Sequence, residues 1–178
     1  MNKERQGLVI VHTGNGKGKT TAALGLAVRA WGQGLKILIL QFIKGSWKYG
    51  ELKALEKFEP NLMIEQAGEG FVKQAEGEEK SKHIEVAKHT FLRAKKEAVS
   101  DKWDMIILDE LNYAVKFGLI EKEAVLELVK IKPANLHLVI TGRDAVPELI
   151  AMADLVTEMK EVKHPYKKGI KAQRGVEF

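Results

Sequence analysis

A glycine-rich segment near the amino terminus is the part of the chain best suited to chemistry. It follows the apolar run 8–12 and consists of Gly14, Asn15, Gly16, Lys17, Gly18, Lys19, Thr20 and Thr21. Closely spaced glycines let successive backbone N–H groups converge on anionic oxygens, a lysine adds a positive charge, and a threonine hydroxyl can ligate Mg²⁺. We therefore predict a strand that runs into a triphosphate-binding loop.

The spacing of this loop departs at one position from the usual phosphate-binding pattern. The pattern G-x-x-x-x-G-K-[ST] would place a glycine five residues before Gly18, where this chain has Thr13. The loop is thus expected to be one residue tighter, with its first glycine at Gly14. A helix is expected from Thr20 to about Ala30, with the positive end of its dipole at the phosphates.

Two carboxylates at the end of another apolar run supply the second half of a nucleotide site. The run 105–108 is followed by Asp109 and Glu110. In folds with a phosphate-binding loop, an acid at this place holds Mg²⁺ directly or through water. Such a run alone is weak evidence, because many buried strands end in an acid that caps the next helix, but the two motifs together strongly favour nucleotide binding.

Two arginines are further candidates, each with an ordinary structural alternative. Arg29 lies ten residues after Lys19 on the expected helix, so it either reaches back to the nucleotide or faces solvent. Arg143 follows an expected strand, at the edge where open α/β sheets bind ligands, and is either a phosphate or ribose contact or a partner of Asp144. The five histidines are scattered and show no zinc-binding spacing.

The elements that must position these groups alternate between short apolar runs and helical periodicity. This alternation predicts an α/β fold of the P-loop NTPase (RecA-like) class, with a mostly parallel central sheet and helices on both faces. The expected strands are 8–12, 36–42, 62–66, 103–108, 136–141 and 155–159, and the expected helices are 20–30, 51–58, 78–99, 122–131 and 147–153. The tail 163–178 has little periodicity.

Composition bounds the class of protein. A chain of 178 residues with 45% hydrophobic content suits a single domain, here 1–178. The absence of cysteine excludes disulfides, thiolate zinc sites and cysteine nucleophiles. The net charge of +5 is a mild excess that a solvated surface explains as well as an anionic partner does. No signal peptide or membrane span is evident, so a cytoplasmic location is expected.

Several short sequence segments add a resemblance to a known family. The segments concerned are TGNGKGKTTAALGLA at 13–27, QFIKG at 41–45, LDELNY at 108–113, VITGR at 139–143, and the tail from VKHPY at 162–166 to GIKAQRG at 169–175. Together they closely resemble the corrinoid adenosyltransferases of the CobA/CobO/BtuR type. Such enzymes transfer the 5′-deoxyadenosyl group of ATP to Co(I) of a corrinoid and release triphosphate, and they hold the triphosphate reversed relative to the usual arrangement.

The resemblance also implies roles for individual residues. Lys19, Thr20 and Glu110 would be catalytic, and Mg²⁺ or Mn²⁺ would be held by Thr20, Asp109 and Glu110. The residues that it assigns to ATP are Gly14, Asn15, Gly16, Lys17, Gly18, Lys19, Thr20, Thr21 and Arg29. Phe71 would contact the corrinoid, but Val72-Lys73 stands where the family often has a Thr-Trp pair, so how the lower corrin face is shielded is an open question.

Alternative functions remain at this stage. They are a RecA-like ATPase acting on nucleic acid, a small-molecule kinase, and a non-catalytic carrier of corrinoid and ATP. No basic stripe accompanies the loop, so a nucleic-acid partner is not expected. The family resemblance instead implies an electron-donating reductase and a homodimer.

Overall fold

The chain forms one six-stranded sheet flanked by helices. A computed structural model describes residues 5–43, 50–67 and 77–176. The strands are β1 (Val9–Thr13), β2 (Ile37–Gln41), β3 (Leu62–Gln66), β4 (Met105–Asp109), β5 (His137–Thr141) and β6 (Leu155–Glu158). Their order in the sheet is β3-β2-β4-β5-β1-β6, and every pair is parallel.

Helices connect the strands. They are α1 (Lys19–Gly32), α2 (Gly50–Leu55), α3 (Gly77–Ala98), α4 (Leu111–Lys116), α5 (Lys122–Ile131) and α6 (Pro147–Met152), with short 3₁₀ turns at Glu56–Phe58 and Pro165–Lys168. The expected α/β fold with a parallel sheet is confirmed. The short helix α4 and the 3₁₀ turn in the tail were not expected, because six and four residues are too few to show a helical period.

Two hydrophobic cores lie on opposite faces of the sheet. Alternate strand residues point to opposite faces, so Ile39 and Ile107 join one core while Leu40 and Leu108 join the other. The first core packs under α1 through Ala23 and Ala27, which are almost fully buried. The second packs under α3 to α6. Helices on both faces therefore bury the central strands β1, β2, β4 and β5, whereas the edge strands β3 and β6 are partly buried and exposed, respectively.

The face that packs on α1 ends in a row of polar side chains. Beyond the apolar positions, residues at the last or next-to-last position of each strand are aligned in register at the carboxyl edge. From one edge of the sheet to the other, the row is Gln66, Gln41, Asp109, Thr141, His12 and Thr157. The amino-terminal end of α1 borders this row, since Thr20 hydrogen-bonds to Asp109. Among the described residues, no helix is both long and apolar enough to cross a membrane.

Candidate active site

The glycine-rich loop lies between β1 and α1, as the sequence predicts. Gly14 and Gly18 have φ angles of 92° and 105°, in the left-handed region that favours glycine. Gly18 directly precedes the first residue of α1, so the loop delivers the chain to the helix start. Anionic groups placed here meet the positive end of a helix of 14 residues.

The segment directly after β6, Met159 and Lys160, packs against this loop and explains the glycines at positions 14 and 16. A Cβ on Gly14 would lie 2.5 Å from the Met159 carbonyl oxygen, and one on Gly16 would lie 2.7 Å from the same atom. The Gly16 amide donates to the Met159 oxygen (2.6 Å), and the Met159 amide donates to the Thr13 oxygen (2.8 Å). The tight loop is thus shaped by backbone packing, and the Gly16 N–H is used inside the protein.

Lys19 is folded over the loop. Its ammonium donates to the backbone oxygens of Gly14 (2.8 Å) and Gly16 (2.7 Å), and its side chain is buried. Burial lowers the pKa of Lys19; Glu110 opposes this shift and Arg143 adds to it. Two of the three ammonium hydrogens are engaged by the loop, which holds the charge at the place where phosphates would bind.

Asp109 is the centre of a hydrogen-bond cluster at the end of β4. Its Oδ1 accepts from the hydroxyls of Thr20 (2.9 Å) and Thr141 (2.7 Å). Its Oδ2 accepts from the amide of Gln41 (3.1 Å). Asp109 is 1% exposed. Hydroxyl and amide donors on both oxygens therefore hold this buried carboxylate in one orientation.

Glu110 adopts an unusual backbone conformation. Its φ of 63° is left-handed, which costs a residue with a side chain about 1–2 kcal/mol. Its amide donates to the Thr141 hydroxyl (2.9 Å), and α4 begins at the next residue. The turn therefore places two successive carboxylates, Asp109 and Glu110, at the same edge of the sheet.

The positive charge of Arg143 acts on Lys19 in the loop. It contributes to the pKa shift of Lys19 and also to the lowered pKa of Glu161, whose largest cause is the hydrogen bond from Lys167. Asp144, the alternative partner considered for Arg143, forms an ion pair with Lys116 (2.5 Å). Asp144 thus has another basic partner, and a contact of Arg143 with phosphate or ribose stays a prediction.

The oxygen donors present fit a small, hard divalent cation. The Thr20 hydroxyl donates its proton to Asp109, which leaves lone pairs on Oγ1 for a metal ligand. Mg²⁺ prefers one or two carboxylates together with substrate phosphates over a cage made wholly of protein groups. Within the described ranges, no three His, Cys, Asp or Glu side chains cluster.

Other predicted site residues are distributed as follows. Asn15, Lys17 and Thr21 are exposed on or just after the loop. Arg29 is exposed in the last turn of α1, about 15 Å along the helix axis from Lys19 at 1.5 Å per residue. The structure does not bring Arg29 to the loop within this chain, so its nucleotide role stays a prediction. Phe71 and Val72-Lys73 lie outside the described residues.

Comparison with known proteins decides between the nucleotide-dependent alternatives. The profile of a family described as ATP:corrinoid adenosyltransferase BtuR/CobO/CobP matches residues 5–178. The chain belongs to this family. A corrinoid adenosyltransferase of Pseudomonas aeruginosa is 41% identical over 99% of this chain and 86% of its own length. A corrinoid adenosyltransferase of Escherichia coli is 37% identical over 99% of this chain and 88% of its own.

Solved structures support the fold independently. A KaiC-like protein from Pyrococcus horikoshii superposes with a TM-score of 0.52 at 16% identity, covering 89% of this chain and 75% of that one. At that identity the likeness shows the P-loop fold alone. Fold and family agree, and the chain is an ATP-dependent corrinoid adenosyltransferase.

Sequence reasoning missed three contributors to the site. Gln41 and Thr141 lie at strand ends far from Asp109 in sequence, and Met159 follows β6. Each sits at or just past the carboxyl end of a strand. Polar residues ending an apolar strand, such as Gln41 and Thr141, were a usable signal; the contact of Met159 with the loop was not, since it is made by backbone atoms.

Proposed function

We propose that this adenosyltransferase moves the 5′-deoxyadenosyl group of ATP to Co(I) of a reduced corrinoid and releases inorganic triphosphate intact. The observation that carries the proposal is the meeting of Lys19, Thr20 and Asp109 at one end of the sheet in a chain of this family. All three lie where a polyanion would be gripped.

The transfer balances without any further reactant. The electron pair of Co(I) forms the cobalt–carbon bond to carbon 5′ of ATP, and the carbon–oxygen bond breaks with its pair going to the triphosphate. Cobalt passes formally from Co(I) to Co(III). Because Co(I) is already a strong nucleophile, the protein needs no general base; it must align carbon 5′ with cobalt and stabilise charge on the departing triphosphate.

Lys19, Thr20 and Glu110 carry the second task. The Lys19 ammonium is buried in the loop, where a charge interaction is stronger than in water. Thr20, Asp109 and Glu110 would hold Mg²⁺ or Mn²⁺, and such an ion supplies neutralisation of developing charge on phosphate oxygens when bound. The carboxylate of Asp109 is oriented beforehand by its hydrogen bonds, so little reorganisation accompanies the reaction.

The remaining loop residues would bind ATP. We assign Asn15, Lys17 and Thr21 to the triphosphate from their exposed positions, and we add Arg143 because its charge acts on Lys19. The packing of the loop on Met159 supports a cradle that differs from the ordinary one, as a reversed triphosphate would need. Arg29 is not near the loop in this chain, so it would contact the nucleotide only from a different position.

The corrinoid and the cellular setting complete the proposal. Phe71 is assigned to the corrinoid from its place in the family motif. A reductase would supply the electron that converts Co(II) to Co(I), a homodimer would be the working assembly, and residues 1–178 would form one domain. The cytoplasm is the expected compartment because ATP and low-potential reductants are available there.

A single assay tests the activity. The protein is mixed with ATP, Mg²⁺ and chemically reduced cobalamin, and the light-sensitive cobalt–carbon product is followed by its absorbance before and after illumination. Photolabile product in proportion to ATP consumed supports the proposal. ATP binding with no such product would indicate a non-catalytic carrier and overturn it.

A further inference from the structure

In the polar row at the carboxyl edge of the sheet, one amide and one hydroxyl hydrogen-bond to Asp109, and the row holds a second amide and a second hydroxyl farther from it. Gln41 and Thr141 come from the strands on either side of β4 and each donates to Asp109. Gln66 and Thr157 stand in the same row, one on each outermost strand. The row therefore offers a matched pair of amides and a matched pair of hydroxyls.

The two contacting residues grip different oxygens of one carboxylate. Thr141 donates to Oδ1 at 2.7 Å, while Gln41 donates to Oδ2 at 3.1 Å. Thr20 adds a third donor, also on Oδ1, from the start of α1. Donors on both oxygens, coming from three different elements, fix the rotation of the carboxylate about its Cβ–Cγ bond.

Burial of the Gln41 amide has a cost in folding free energy. Gln41 is 0% exposed, and its Oε1 has no hydrogen-bond partner among the described residues. A buried polar atom without a partner costs about 1–3 kcal/mol. The amide must face Asp109 with its nitrogen, because two oxygens would repel. An apolar side chain would fill this position without that cost, but it would also remove the donor to Asp109 Oδ2.

Thr141 links the two acidic residues. Its hydroxyl donates to Asp109 and accepts from the Glu110 amide (2.9 Å), so donor and acceptor capacities are both used. The same oxygen thereby supports the left-handed turn at Glu110. Loss of this hydroxyl would disturb both carboxylates at once, whereas loss of the Gln41 amide would disturb Asp109 alone.

We propose that Gln41 and Thr141 are positioning residues that aim the Asp109 carboxylate at the divalent cation of the nucleotide site. The inference rests on the proposed function, since it takes Asp109 as a metal-site residue. Partners that orient a metal-site group typically change metal affinity by about 10–100-fold when removed. The effect is expected on metal binding itself, before any adenosyl transfer.

The test measures Mn²⁺ binding to the protein–ATP complex by electron paramagnetic resonance, without corrinoid, so that no transfer takes place. Gln41→Met and Thr141→Val remove the donors while keeping size, and Gln66→Met and Thr157→Val are controls with the same chemical change in the same row, at more accessible positions. Thr141→Ser restores a hydroxyl. We expect about tenfold weaker Mn²⁺ binding in the first pair, near wild-type binding in the controls, and recovery in the serine variant.

Thermal unfolding of each variant separates positioning from stability. Weakened Mn²⁺ binding in Gln41→Met or Thr141→Val, in a variant that remains fully folded at the temperature of the binding assay, supports the inference, and either variant suffices if the other does not fold. Mn²⁺ binding equal to that of the controls would overturn it. Wild-type protein that binds ATP but no Mn²⁺ would instead reject the metal role of Asp109, which belongs to the proposed function.

Discussion

The hydroxyl of Thr20 donates to Asp109 Oδ1 at 2.9 Å, although the two residues are 89 positions apart in the chain. This contact joins the start of α1 to the end of β4. It brings the glycine-rich loop and the acidic strand end, which the sequence shows as separate motifs, into one site. Chemistry at the loop should therefore respond to changes at either residue.

Replacement of Lys19 tests the charge at the loop. Lys19→Ala should lower the rate of adenosyl transfer by at least about 100-fold, because loss of one preorganised donor at a developing charge costs several kcal/mol. Rates are measured with chemically reduced cobalamin and saturating ATP. Lys122→Ala is the control, since it removes an exposed ion pair with Glu148 (2.6 Å) away from the loop. Equal rates in the two variants would show that the Lys19 charge has no part in transfer.

Replacement of Thr20 tests the proposed metal ligand. Thr20→Val keeps the size of the side chain but removes the oxygen, and transfer should need at least about tenfold more Mg²⁺ for half-maximal rate. Thr90→Val, which removes a hydroxyl bonded to the Val86 oxygen (2.8 Å) in α3, should leave the Mg²⁺ requirement unchanged. An unchanged requirement in Thr20→Val would argue against ligation by this hydroxyl.

A pair of glycine substitutions tests how the packing of Met159 shapes the loop. Gly16→Ala should destabilise the protein by about 1–3 kcal/mol and weaken ATP binding, because the added Cβ would meet Met159. Gly25→Ala, in α1 with no atom within 4 Å of the new Cβ, should stabilise it by about 0.5–1 kcal/mol. Urea unfolding and ATP titration measure both effects. A neutral Gly16→Ala would mean that Met159 does not pack on the loop under native conditions.

Two histidines set a pH dependence of stability. Burial lowers the pKa of His12, and burial followed by the charges of Arg5 and Lys132 lowers that of His137. The unfolded chain, with histidine near pKa 6.5, then binds more protons than the folded one, so the free energy of unfolding should fall as pH decreases below about 7. Urea titrations between about pH 7.5 and pH 5.5 measure this. A free energy that rises in this direction would contradict both shifts.

His12 also allows a direct test of its own contribution. Both ring nitrogens are buried without a hydrogen-bond partner among the described residues, although the ring stands beside Thr141 in the row. His12→Phe removes these polar atoms, so it should raise stability at neutral pH by about 1 kcal/mol and flatten the pH dependence. Loss of stability on substitution would show that the imidazole has a partner that matters.

Much of this architecture can be predicted from local sequence patterns. Apolar runs bounded by glycine or acids mark the buried strands, and the loop with its lysine and threonine marks the start of α1, so the fold and the phosphate loop were predictable. The hydrogen bonds of Gln41 to Asp109 and the packing of Met159 on Gly16 were not. Such contacts depend on strand order and register, which arise only when distant segments assemble.

The phosphorus product of the reaction tests the central claim most directly. Because the loop is proposed to bind a triphosphate that leaves whole, ³¹P nuclear magnetic resonance after reaction with reduced cobalamin should show one triphosphate for each cobalt–carbon bond formed. ADP with phosphate, or AMP with pyrophosphate, appearing in step with the product would contradict it, because the bond broken would then lie between phosphorus atoms.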